Sequence, residues 1–340
     1  MQVSQDGILH WTDTSQDAIV LGFLIDSRED FVSGRVLCDK LDVPRAELLK
    51  RIDSLRARGF QIDASGGRGY RLGELPDGLA EAQLAPLLTS AEIGRAIHFY
   101  PELGSTNDEA HRLAEAGALH GEVVIAEEQT NGRGRKSRSW LAPKGKGLTL
   151  SVILRPAIPA QRAPELTLVA AVAVCEAARE LGAPARIKWP NDVECRGKKL
   201  AGLLTELRAE SDRIRHAVLG IGLNVSLEAQ DLPEDLRPRA TSLLLETGER
   251  HPRPVVCAAL LAHLEEWLDV HETEGFEAVR ARFRALSSTL GRRVRVDAET
   301  GSFEGEAVDL APDGALLVKH GEGDLRRVVA ADIEHLRPLG

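Results

Sequence analysis

The residues of this chain best suited to holding an anion form one short stretch, residues 132–140. The stretch reads GRGRKSRSW, so that four cationic side chains are interleaved with glycine and serine and followed by an indole. Glycine lets the backbone approach a ligand closely, and arginine offers a planar fork of donors to carboxylate or phosphate. In a chain of net charge -9, such a cluster indicates an anion site, with Trp140 able to stack on a flat heterocycle. From these residues alone, a solvated basic surface loop is the alternative.

Three further motifs follow this basic loop along the chain. They read KWPND at residues 188–192, KKLAGLLTE at 198–206 and GIGLNV at 220–225. In order and spacing the four motifs resemble those of the biotin protein ligases, and together they are far more specific than one glycine-rich match. Residues 18–72 resemble the winged helix-turn-helix of the two-function members, the biotin operon repressors. The tail from Leu290 resembles their small C-terminal β-barrel, so the resemblance covers nearly the whole chain.

The resemblance implies a biotin site built from the start of a helix and from the basic loop. Serine, threonine and asparagine at residues 105–107 are typical of a helix N-cap, and simple capping is the alternative. Hydroxyl and amide groups that donate and accept hydrogen bonds also suit the cyclic urea of biotin. Gln129 follows a predicted strand, where an ordinary loop residue is the alternative. The residues that the resemblance assigns to biotin are Ser105, Thr106, Asn107, Gln129, Arg133, Gly134, Arg135 and Lys199.

A second group of residues corresponds to the nucleotide site of the family. The resemblance implies that Arg138 lies near phosphate and that the indole of Trp140 lies against the nucleotide. Asn191 is expected to approach the adenylate, Asn224 to contact the nucleotide, and Asp192 to help place magnesium. Taken alone, Pro-Asn-Asp is typical of a turn. ATP with Mg²⁺ is the expected co-substrate.

Two adjacent lysines compete for the central catalytic role. Lys198 and Lys199 follow a glycine turn, where lysines usually form a solvated hairpin end. Because side chains alternate along a strand, only one of the two can face a pocket. Lys199 directly precedes Leu-Ala-Gly and matches the family lysine that contacts the biotin carboxylate and the α-phosphate. An ammonium there offsets charge as the carboxylate attacks phosphorus, so Lys199 and Arg135 are the predicted catalytic residues.

The basic loop departs from the commonest family pattern at two positions. Lys136 and Ser137 stand where Arg-Gly is usual. Lysine keeps the charge but lacks the bidentate fork, and serine lacks the freedom of glycine to adopt positive φ. The arginines that the family pattern assigns to the ligand are intact. We therefore expect the change to alter loop ordering more than chemistry.

Hydrophobic spacing predicts three helices and a hairpin near the N-terminus. The helices cover residues 16–27, 34–41 and 45–58, and Ser33 is the predicted N-cap of the second. The predicted buried face of the third helix consists of Leu48, Leu49, Ile52 and Leu55. A glycine-rich hairpin follows over residues 60–72. Two short helices around a turn, followed by a ribbon, form a winged helix-turn-helix.

This N-terminal domain has several cations that could meet DNA phosphates. They are Arg45, Lys50 and Arg51 on the third helix and Arg68 on the wing. Acidic residues surround them, and no residue type here establishes base readout. Operator DNA is the expected partner, chiefly from the resemblance. The alternative is a helical domain retained for regulation or dimer support.

The remainder of the chain alternates strands with helices and then becomes all β. Residues 73–88, which contain two prolines, are predicted to connect the domains. Short strands with turns at Gly301, Gly314 and Gly321 predict the final barrel. The predicted fold is α+β and multidomain, with three parts in chain order. These are a winged helix-turn-helix at residues 1–74, a mixed-sheet α/β catalytic domain of the biotin/lipoate ligase type at 75–288, and an SH3-like β-barrel at 289–340.

Composition indicates what class of protein this is and in which cellular compartment it is expected. The hydrophobic content of 43% is that of a globular protein, and no apolar run approaches the length of a membrane span. The N-terminus lacks the layout of a signal peptide. The four cysteines are far apart and form no Cys-x-x-Cys pair, so we expect a cytoplasmic protein without disulfides. The histidines show no paired ligand spacing, so we expect no structural metal.

The resemblance implies a biotin–[acetyl-CoA carboxylase] ligase that also represses biotin synthesis genes. Biotin and ATP would give biotinyl-5′-AMP, and the biotin carboxyl carrier protein would then accept biotin on a lysine. Two alternatives remain: a lipoate-type ligase, and a biotin-sensing repressor without turnover. The family further implies a homodimer when the adenylate is bound. In the family, the carrier protein competes for the same face, so DNA occupancy would fall when biotin demand is high.

Overall fold

The computed structural model of the 340-residue chain describes residues 14–27, 30–210, 213–298, 301–321, 323–329 and 331–336. At residues 14, 15 and 137 it describes the backbone. The N-terminal residues used above against a signal peptide lie outside the described residues. The helices and strands fall into three groups along the chain.

The first group consists of three helices and a hairpin, as predicted. Its elements are α1 (Thr14–Asp26), α2 (Gly34–Leu41), α3 (Arg45–Ala57), β1 (Ile62–Ser65) and β2 (Gly69–Leu72). The Ser33 hydroxyl accepts a hydrogen bond from the Arg35 amide, which confirms the N-cap of α2. Val32 exchanges two backbone hydrogen bonds with Tyr70 and extends the hairpin. The group has the arrangement of a winged helix-turn-helix.

The core of this domain corrects one sequence prediction. Leu48, Ile52 and Leu55 of α3 are fully buried, as the spacing indicates. Leu49, which was assigned to the same face, is 42% exposed. Positions i, i+4 and i+7 form one narrow stripe on a helix, and the residue at i+1 points about 100° away from it. The buried face of α3 is therefore narrower than predicted.

The second group is a mixed sheet with helices on both faces. Its strands are β3 (Ile97–Tyr100), β4 (Val123–Ala126), β5 (Gly147–Leu154), β6 (Ala185–Lys188), β7 (Asp192–Cys195), β8 (Lys198–Glu210) and β9 (Arg213–Asn224). Its helices are α4 (Glu81–Leu84), α5 (Thr106–Glu115), α6 (Pro164–Glu180), α7 (Leu243–Thr247), α8 (Arg253–Thr273) and α9 (Phe276–Leu286). The strand order is β3-β4-β5-β9-β8-β7-β6. β3 and β4 run parallel, and the other pairs of described strands are antiparallel.

Side chains of the central strands alternate between two helical layers. Val123 and Ile125 of β4 belong to the large core that includes α6, α8 and α9. Val124 between them packs with Ala110 of α5 on the opposite face. Ile153 of β5 also packs under α5, and a period of two places Ser151 on that same side. The face beneath α5 therefore carries polar as well as apolar side chains.

The predicted connection between the first two groups is partly helical. It contains α4 and a 3₁₀ helix at Ala85–Leu87, and Leu79 and Leu84 are buried in the central core. The second half of the connection therefore packs against both groups, since Leu87 of the 3₁₀ helix lies against the core of the first group. Further 3₁₀ helices lie at Arg135–Ser137, Ala160–Arg162 and Ala229–Asp231.

The third group is an antiparallel sheet. Its strands are β10 (Arg293–Ala298), β11 (Gly301–Leu310), β12 (Leu316–His320), β13 (Asp324–Val328) and β14 (Asp332–His335), in the order β13-β12-β11-β10-β14. Gly301, Gly314 and Gly321 all have positive φ; Gly314 and Gly321 lie in the predicted turns, and Gly301 is the first residue of β11. β13 and β14 are the edges among the described strands, so closure into an SH3-like barrel stays a prediction. The sheet shares its core with α6 and α9.

The cysteines and the helices agree with the compositional expectations. Cys175, Cys195 and Cys257 are buried, Cys38 is partly buried, and all four are unpaired. Burial raises the pKa of each buried thiol to about 12, so these thiols stay protonated near neutral pH. None of the described helices is both long enough and apolar enough to cross a membrane.

Candidate active site

One cavity of about 360 Å³ gathers the residues that the sequence predicted for biotin, nucleotide and magnesium. It lies between the α5 end of the central sheet, the basic loop and the C-terminal sheet. The predicted residues that line it are Ser105, Thr106, Asn107, Gln129, Arg133, Gly134, Arg135, Arg138, Trp140, Asn191, Asp192, Lys199 and Asn224. These residues come from stretches more than a hundred positions apart. Their convergence is the principal feature of the site.

The start of α5 is held by a side chain from another part of the chain. Gln129 Oε1 accepts hydrogen bonds from the Thr106 amide (2.7 Å) and the Thr106 hydroxyl (3.0 Å). Ser105 is the N-cap residue by position, but among the described residues its hydroxyl makes no capping hydrogen bond. Capping by Ser105 is therefore wrong, because Gln129 supplies the acceptor that the exposed helix amides need. Gln129 is thus more than an ordinary loop residue.

A buried serine connects this helix start to the sheet. Ser151 Oγ on β5 lies 2.8 Å from Thr106 Oγ1 and 2.6 Å from Asn107 Oδ1. A hydroxyl has one hydrogen, and the Asn107 carbonyl can only accept, so Ser151 donates to Asn107. The end of the cavity nearest α5 is consequently lined by fixed hydroxyl and amide groups. Such groups suit a neutral ligand that both donates and accepts hydrogen bonds.

The backbone of the basic loop is ordered by its own hydrogen bonds. The Gly134 amide donates to the Arg138 carbonyl (2.7 Å), and the Trp140 amide donates to the Gly132 carbonyl (2.8 Å). Lys136 at the tip adopts a left-handed conformation, with φ 54°. For a residue with a side chain this conformation costs about 1–2 kcal/mol. An arginine at this position would bear the same cost, so the strain at Lys136 does not come from the departure from the family pattern.

The cations of the loop are each held by an acceptor from a distant element. Arg133 makes a two-pronged ion pair with Asp108 of α5, at 2.6 and 3.2 Å. Arg135 donates to Asn191 Oδ1 (3.1 Å), and burial lowers its pKa from the ordinary value, although it stays a cation. Arg138 pairs with Asp332 of β14, which Lys136 also approaches at 3.4 Å. The loop is thus fastened to both the central and the C-terminal sheets.

The two adjacent lysines are separated as the alternation predicts. Lys199 lines the cavity, whereas Lys198 is exposed at the hairpin end. Lys199 Nζ lies 2.8 Å from Asp192 Oδ1 and 5.4 Å from the centre of the Trp140 ring. Its backbone pairs with the segment at residues 239–241 through two hydrogen bonds. The geometry thus favours Lys199 over Lys198 as the lysine that meets a bound anion.

Glycines on β8 and β9 form the floor beneath the indole and the lysine. A Cβ atom on Gly222 would collide with the Trp140 ring, and one on Gly202 would lie 2.9 Å from Lys199 Cε and Nζ. The absence of a side chain at Gly222 lets the flat indole approach the sheet closely. Gly202 lies directly beneath the end of the Lys199 side chain.

The KWPND motif joins the cavity to the C-terminal sheet. Trp189 is buried, and its indole N–H donates to the Gly314 carbonyl (3.0 Å). Asn191 Nδ2 donates to the Leu203 carbonyl (2.8 Å), which leaves its Oδ1 facing Arg135. On the other side of the cavity, Asn224 Nδ2 donates to the Thr241 carbonyl (2.9 Å). Both asparagines are therefore oriented by backbone acceptors.

Together these features define the chemistry that the cavity can support. Cations from the loop and from β8 converge at one end, and hydroxyl and amide groups lie at the other. A ligand with a neutral hydrogen-bonding head, a carboxylate and a nearby phosphate would meet complementary groups along its whole length. Cysteine is absent from the described lining, and the cations that converge there make positioning and charge neutralisation the chemistry that the site supports best.

Comparison with known proteins decides the family. The Biotin/lipoate A/B protein ligase family model matches residues 103–224, the Biotin protein ligase C terminal domain model matches 289–336, and an HTH domain model matches 19–71. The chain is 38% identical over 306 residues to the bifunctional ligase/repressor BirA of Bacillus subtilis (strain 168), covering 90% of this chain and 94% of that protein. The chain belongs to the biotin protein ligase family.

Two further relatives agree with this assignment. The biotin–[acetyl-CoA-carboxylase] ligase of Mycobacterium tuberculosis is 38% identical over 272 residues, which are 76% of this chain and 96% of that protein. The biotin protein ligase from Aquifex aeolicus in complex with biotin and ATP superimposes with a TM-score of 0.62 at 30% identity. That match covers 71% of this chain and 99% of that one. The fold class predicted from the motifs is thereby confirmed in its main parts.

Several residues of this biotin protein ligase site were missed in the sequence. Asp108 and Asp332 hold the loop cations, and Glu206 contacts Asn107. Ser151 carried a weak signal, since it interrupts an apolar strand with a polar residue on the α5 side. Asp108 and Asp332 carried no such signal, because their partners, Arg133 and Arg138, lie 25 and 194 positions away in the sequence.

The predicted DNA-binding residues of the ligase fall into two sets. Arg45 and Lys50 are exposed on α3, and Arg68 on the wing lies 4.3 Å from the centre of the Phe31 ring. Arg51 instead lies 3.6 Å from buried Asp17, with its side chain 18% exposed. Arg51 is therefore poorly placed to reach a phosphate, because it is engaged inside the domain.

Proposed function

We propose that this biotin protein ligase activates biotin with ATP and transfers it to a lysine of the biotin carboxyl carrier protein of acetyl-CoA carboxylase. The biotin carboxylate attacks the α-phosphorus, a P–O bond forms, and pyrophosphate leaves. The carrier lysine, as the free amine, then attacks the acyl carbon of biotinyl-5′-AMP, and AMP leaves. The observation that carries this proposal is the meeting of Lys199 and the loop arginines with the hydroxyl and amide pocket in one cavity.

Each residue has a role that follows from its place in the site. Thr106 and Asn107 hold the ureido ring, because their hydroxyl and amide groups complement a cyclic urea. Arg135 and Lys199 neutralise the carboxylate and the α-phosphate as they approach each other. Arg138 pairs with phosphate oxygens once Asp332 is displaced. These residues position and neutralise, and none of them is required to form a covalent bond.

We propose that magnesium enters with ATP as part of the substrate. Among the described residues, no group of three or more histidine, cysteine or acidic side chains could hold a metal by itself. Mg²⁺ commonly uses one or two carboxylates together with substrate phosphates. Asp192, 2.8 Å from Lys199, is the carboxylate best placed to join such a set. A carboxylate is a ligand that suits Mg²⁺. Mg²⁺ bound at Asp192 would replace the ammonium of Lys199, and the lysine would then be available to pair with the biotin carboxylate.

A direct assay tests the proposed reaction. The protein would be mixed with biotin, MgATP and purified carrier domain, and the mass of the carrier would be measured. We expect one biotinyl group per carrier, absent without ATP and absent on a carrier whose acceptor lysine is arginine. Lipoate in place of biotin tests the rival ligase: preferential lipoylation would overturn the assignment to biotin. Biotin binding without any turnover would leave only a sensing role.

We propose that the N-terminal domain binds operator DNA as an adenylate-induced homodimer. The exposed cations of α3 and the wing support this second function, as does the HTH match. A dimer would present two reading helices to a two-fold operator, and joint binding raises affinity. Sedimentation with and without biotin and ATP tests assembly: a mass that is independent of both ligands would exclude this mechanism. We place the protein in the cytoplasm, where its unpaired thiols persist and both DNA and carrier are found.

A further inference from the structure

One carboxylate behind the cavity contacts two parts of the predicted biotin site. Glu206 Oε2 on β8 accepts a hydrogen bond from Asn107 Nδ2 (2.7 Å). The same oxygen lies 3.5 Å from a guanidinium nitrogen of Arg133 in the basic loop. Glu206 is not among the cavity-lining residues that the structure describes, so it is placed to act through its neighbours.

The contact with Asn107 fixes which way its carboxamide points. Ser151 Oγ donates to Asn107 Oδ1 (2.6 Å), while Glu206 accepts from Nδ2. A flipped amide would place the NH₂ group against the serine and two oxygens against each other at Glu206. Gly220 lies directly beneath, where a Cβ atom would collide with Asn107 Oδ1. Asn107 Nδ2 also donates to the Leu204 carbonyl (3.4 Å), so both of its N–H groups have acceptors and its Oδ1 keeps one lone pair in a fixed direction.

The contact with Arg133 holds the near end of the basic loop. Arg133 is bound by Asp108 on α5, at 2.6 and 3.2 Å, and approaches Glu206 on the other side. The three charged groups are only partly exposed: 36% for Arg133, 57% for Asp108 and 33% for Glu206. Because Glu206 also contacts Asn107, this one carboxylate links Arg133, the first arginine of the basic loop, to the Asn107 amide that lines the cavity.

We propose that Glu206 is a positioning residue for biotin activation, which orients the Asn107 carboxamide and tethers the basic loop through Arg133. This inference rests on the proposed function, because it assumes that biotin binds against Asn107. The first task needs only a hydrogen-bond acceptor, whereas the second needs a negative charge. The two tasks can therefore be separated by substitution.

Three variants separate the tasks. Glu206→Gln keeps an acceptor for Asn107 and removes the charge near Arg133. Glu206→Ala removes both, and Asp108→Asn weakens only the tether. Glu210→Gln, at an exposed position on the same strand, is the matched control. Each variant would be assayed for the biotin KM and kcat of adenylate formation and for release of biotinyl-5′-AMP without carrier.

The expected pattern differs between the variants. Glu206→Ala should raise the biotin KM about tenfold with kcat within about twofold, because an interaction made equally in ground and transition states is lost. Glu206→Gln should leave KM within about twofold but increase adenylate release about threefold, and Asp108→Asn should do the same. Glu210→Gln should match the parent in every readout.

Equal changes in KM for Glu206→Gln and Glu206→Ala, or no change in either, would overturn the proposal. If Glu206→Ala does not fold, as judged by thermal unfolding, the decision falls to adenylate release by Glu206→Gln and Asp108→Asn. Release equal to that of the parent in both variants would then overturn it. A parent protein that does not bind biotin would reject the proposed function itself, which distinguishes that failure from the failure of this inference.

Discussion

The cations of the basic loop and those of α3 were predicted from the same kind of pattern, but the fold uses them differently. On α3, Lys50 and Arg51 approach Glu47, three and four residues earlier, at 3.5 and 3.3 Å. In the loop, Arg133 pairs with a residue 25 positions away and Arg138 with one 194 positions away. Helical neighbours meet whatever the rest of the chain does, whereas the loop pairs exist only in the folded protein.

This difference separates two kinds of basic surface. The exposed pair of Lys50 with Glu47 contributes about 0.3–0.5 kcal/mol and leaves the lysine facing solvent, where phosphate can replace the carboxylate. The pairs in the loop and at Lys199 surround a cavity, so an incoming anion must displace Asp192 and Asp332 in a fixed geometry. Exposed cations on a helix suit a long, uniformly charged partner. Cations arranged around a cavity suit one small anion.

The sharpest test of the comparison is Lys199→Ala. Removal of the cavity ammonium should slow adenylate formation roughly a thousandfold, since one lost electrostatic donor in a preorganised site costs that much. Pyrophosphate exchange measures this step, and thermal unfolding should be almost unchanged because Lys199 is outside the core. Lys198→Ala is the matched control and should retain parental activity. Equal activity of Lys199→Ala and the parent would move the role to Lys198 or Lys188.

A smaller effect is expected from Arg135→Ala. Arg135 bridges the loop and Asn191 at 3.1 Å, so its loss should loosen the loop over the adenylate. We expect about tenfold faster release of biotinyl-5′-AMP, corresponding to one charged hydrogen bond. Labelling of lysines on a bystander protein such as albumin would report the release by mass spectrometry. Selectivity for the carrier domain equal to that of the parent would argue against the loop as a cover for the adenylate.

Arg51→Ala tests whether the α3 cations are equivalent. Arg51 lies against Asp17, whose side chain is 3% exposed, so its removal should lower the free energy of unfolding by about 1–2 kcal/mol. Lys50→Ala, with a 77% exposed side chain, should change stability by less than about 0.5 kcal/mol. Urea unfolding of both variants gives the comparison. Equal stabilities would show that Arg51 contributes no more to stability than Lys50.

The smallest expected effect concerns DNA. Arg68→Ala should weaken operator binding about threefold and reduce the slope of log affinity against log salt by about one, as for a lost phosphate contact. The measurement is a fluorescence-anisotropy titration at several salt concentrations with biotin and ATP present. A parental slope in Arg68→Ala would remove the wing arginine from the DNA-binding surface.

Sequence reasoning succeeded where a local pattern has one structural solution. The turns at Gly314 and Gly321 were predicted correctly, because glycine there takes positive φ. Alternation along β8 required that only one of Lys198 and Lys199 face a pocket, and the family pattern selected Lys199. The prediction was wrong at Leu49. This apolar residue lies beside the buried stripe of α3, and counting it made the predicted buried face too wide.

It failed where the partner of a polar group comes from elsewhere in the chain. Ser105 has the residue type of an N-cap, yet Gln129 caps α5 from a neighbouring loop. Glu206 was visible within the KKLAGLLTE motif, but nothing local indicated that it meets Asn107, 99 positions earlier. A side-chain hydrogen bond of this kind leaves no spacing in the sequence.

By itself, the sequence determined the elements and their order, and its resemblance to a family indicated thirteen of the residues that line the cavity. It could do so because helix periodicity, strand alternation and turn residues act over a few neighbouring positions. Only the tertiary structure decided which acceptor holds each cation, which way the Asn107 amide points, and which cations of α3 remain exposed. Those choices depend on distances between segments far apart in the chain, and such distances are set when β5, β8 and the C-terminal sheet pack around one cavity.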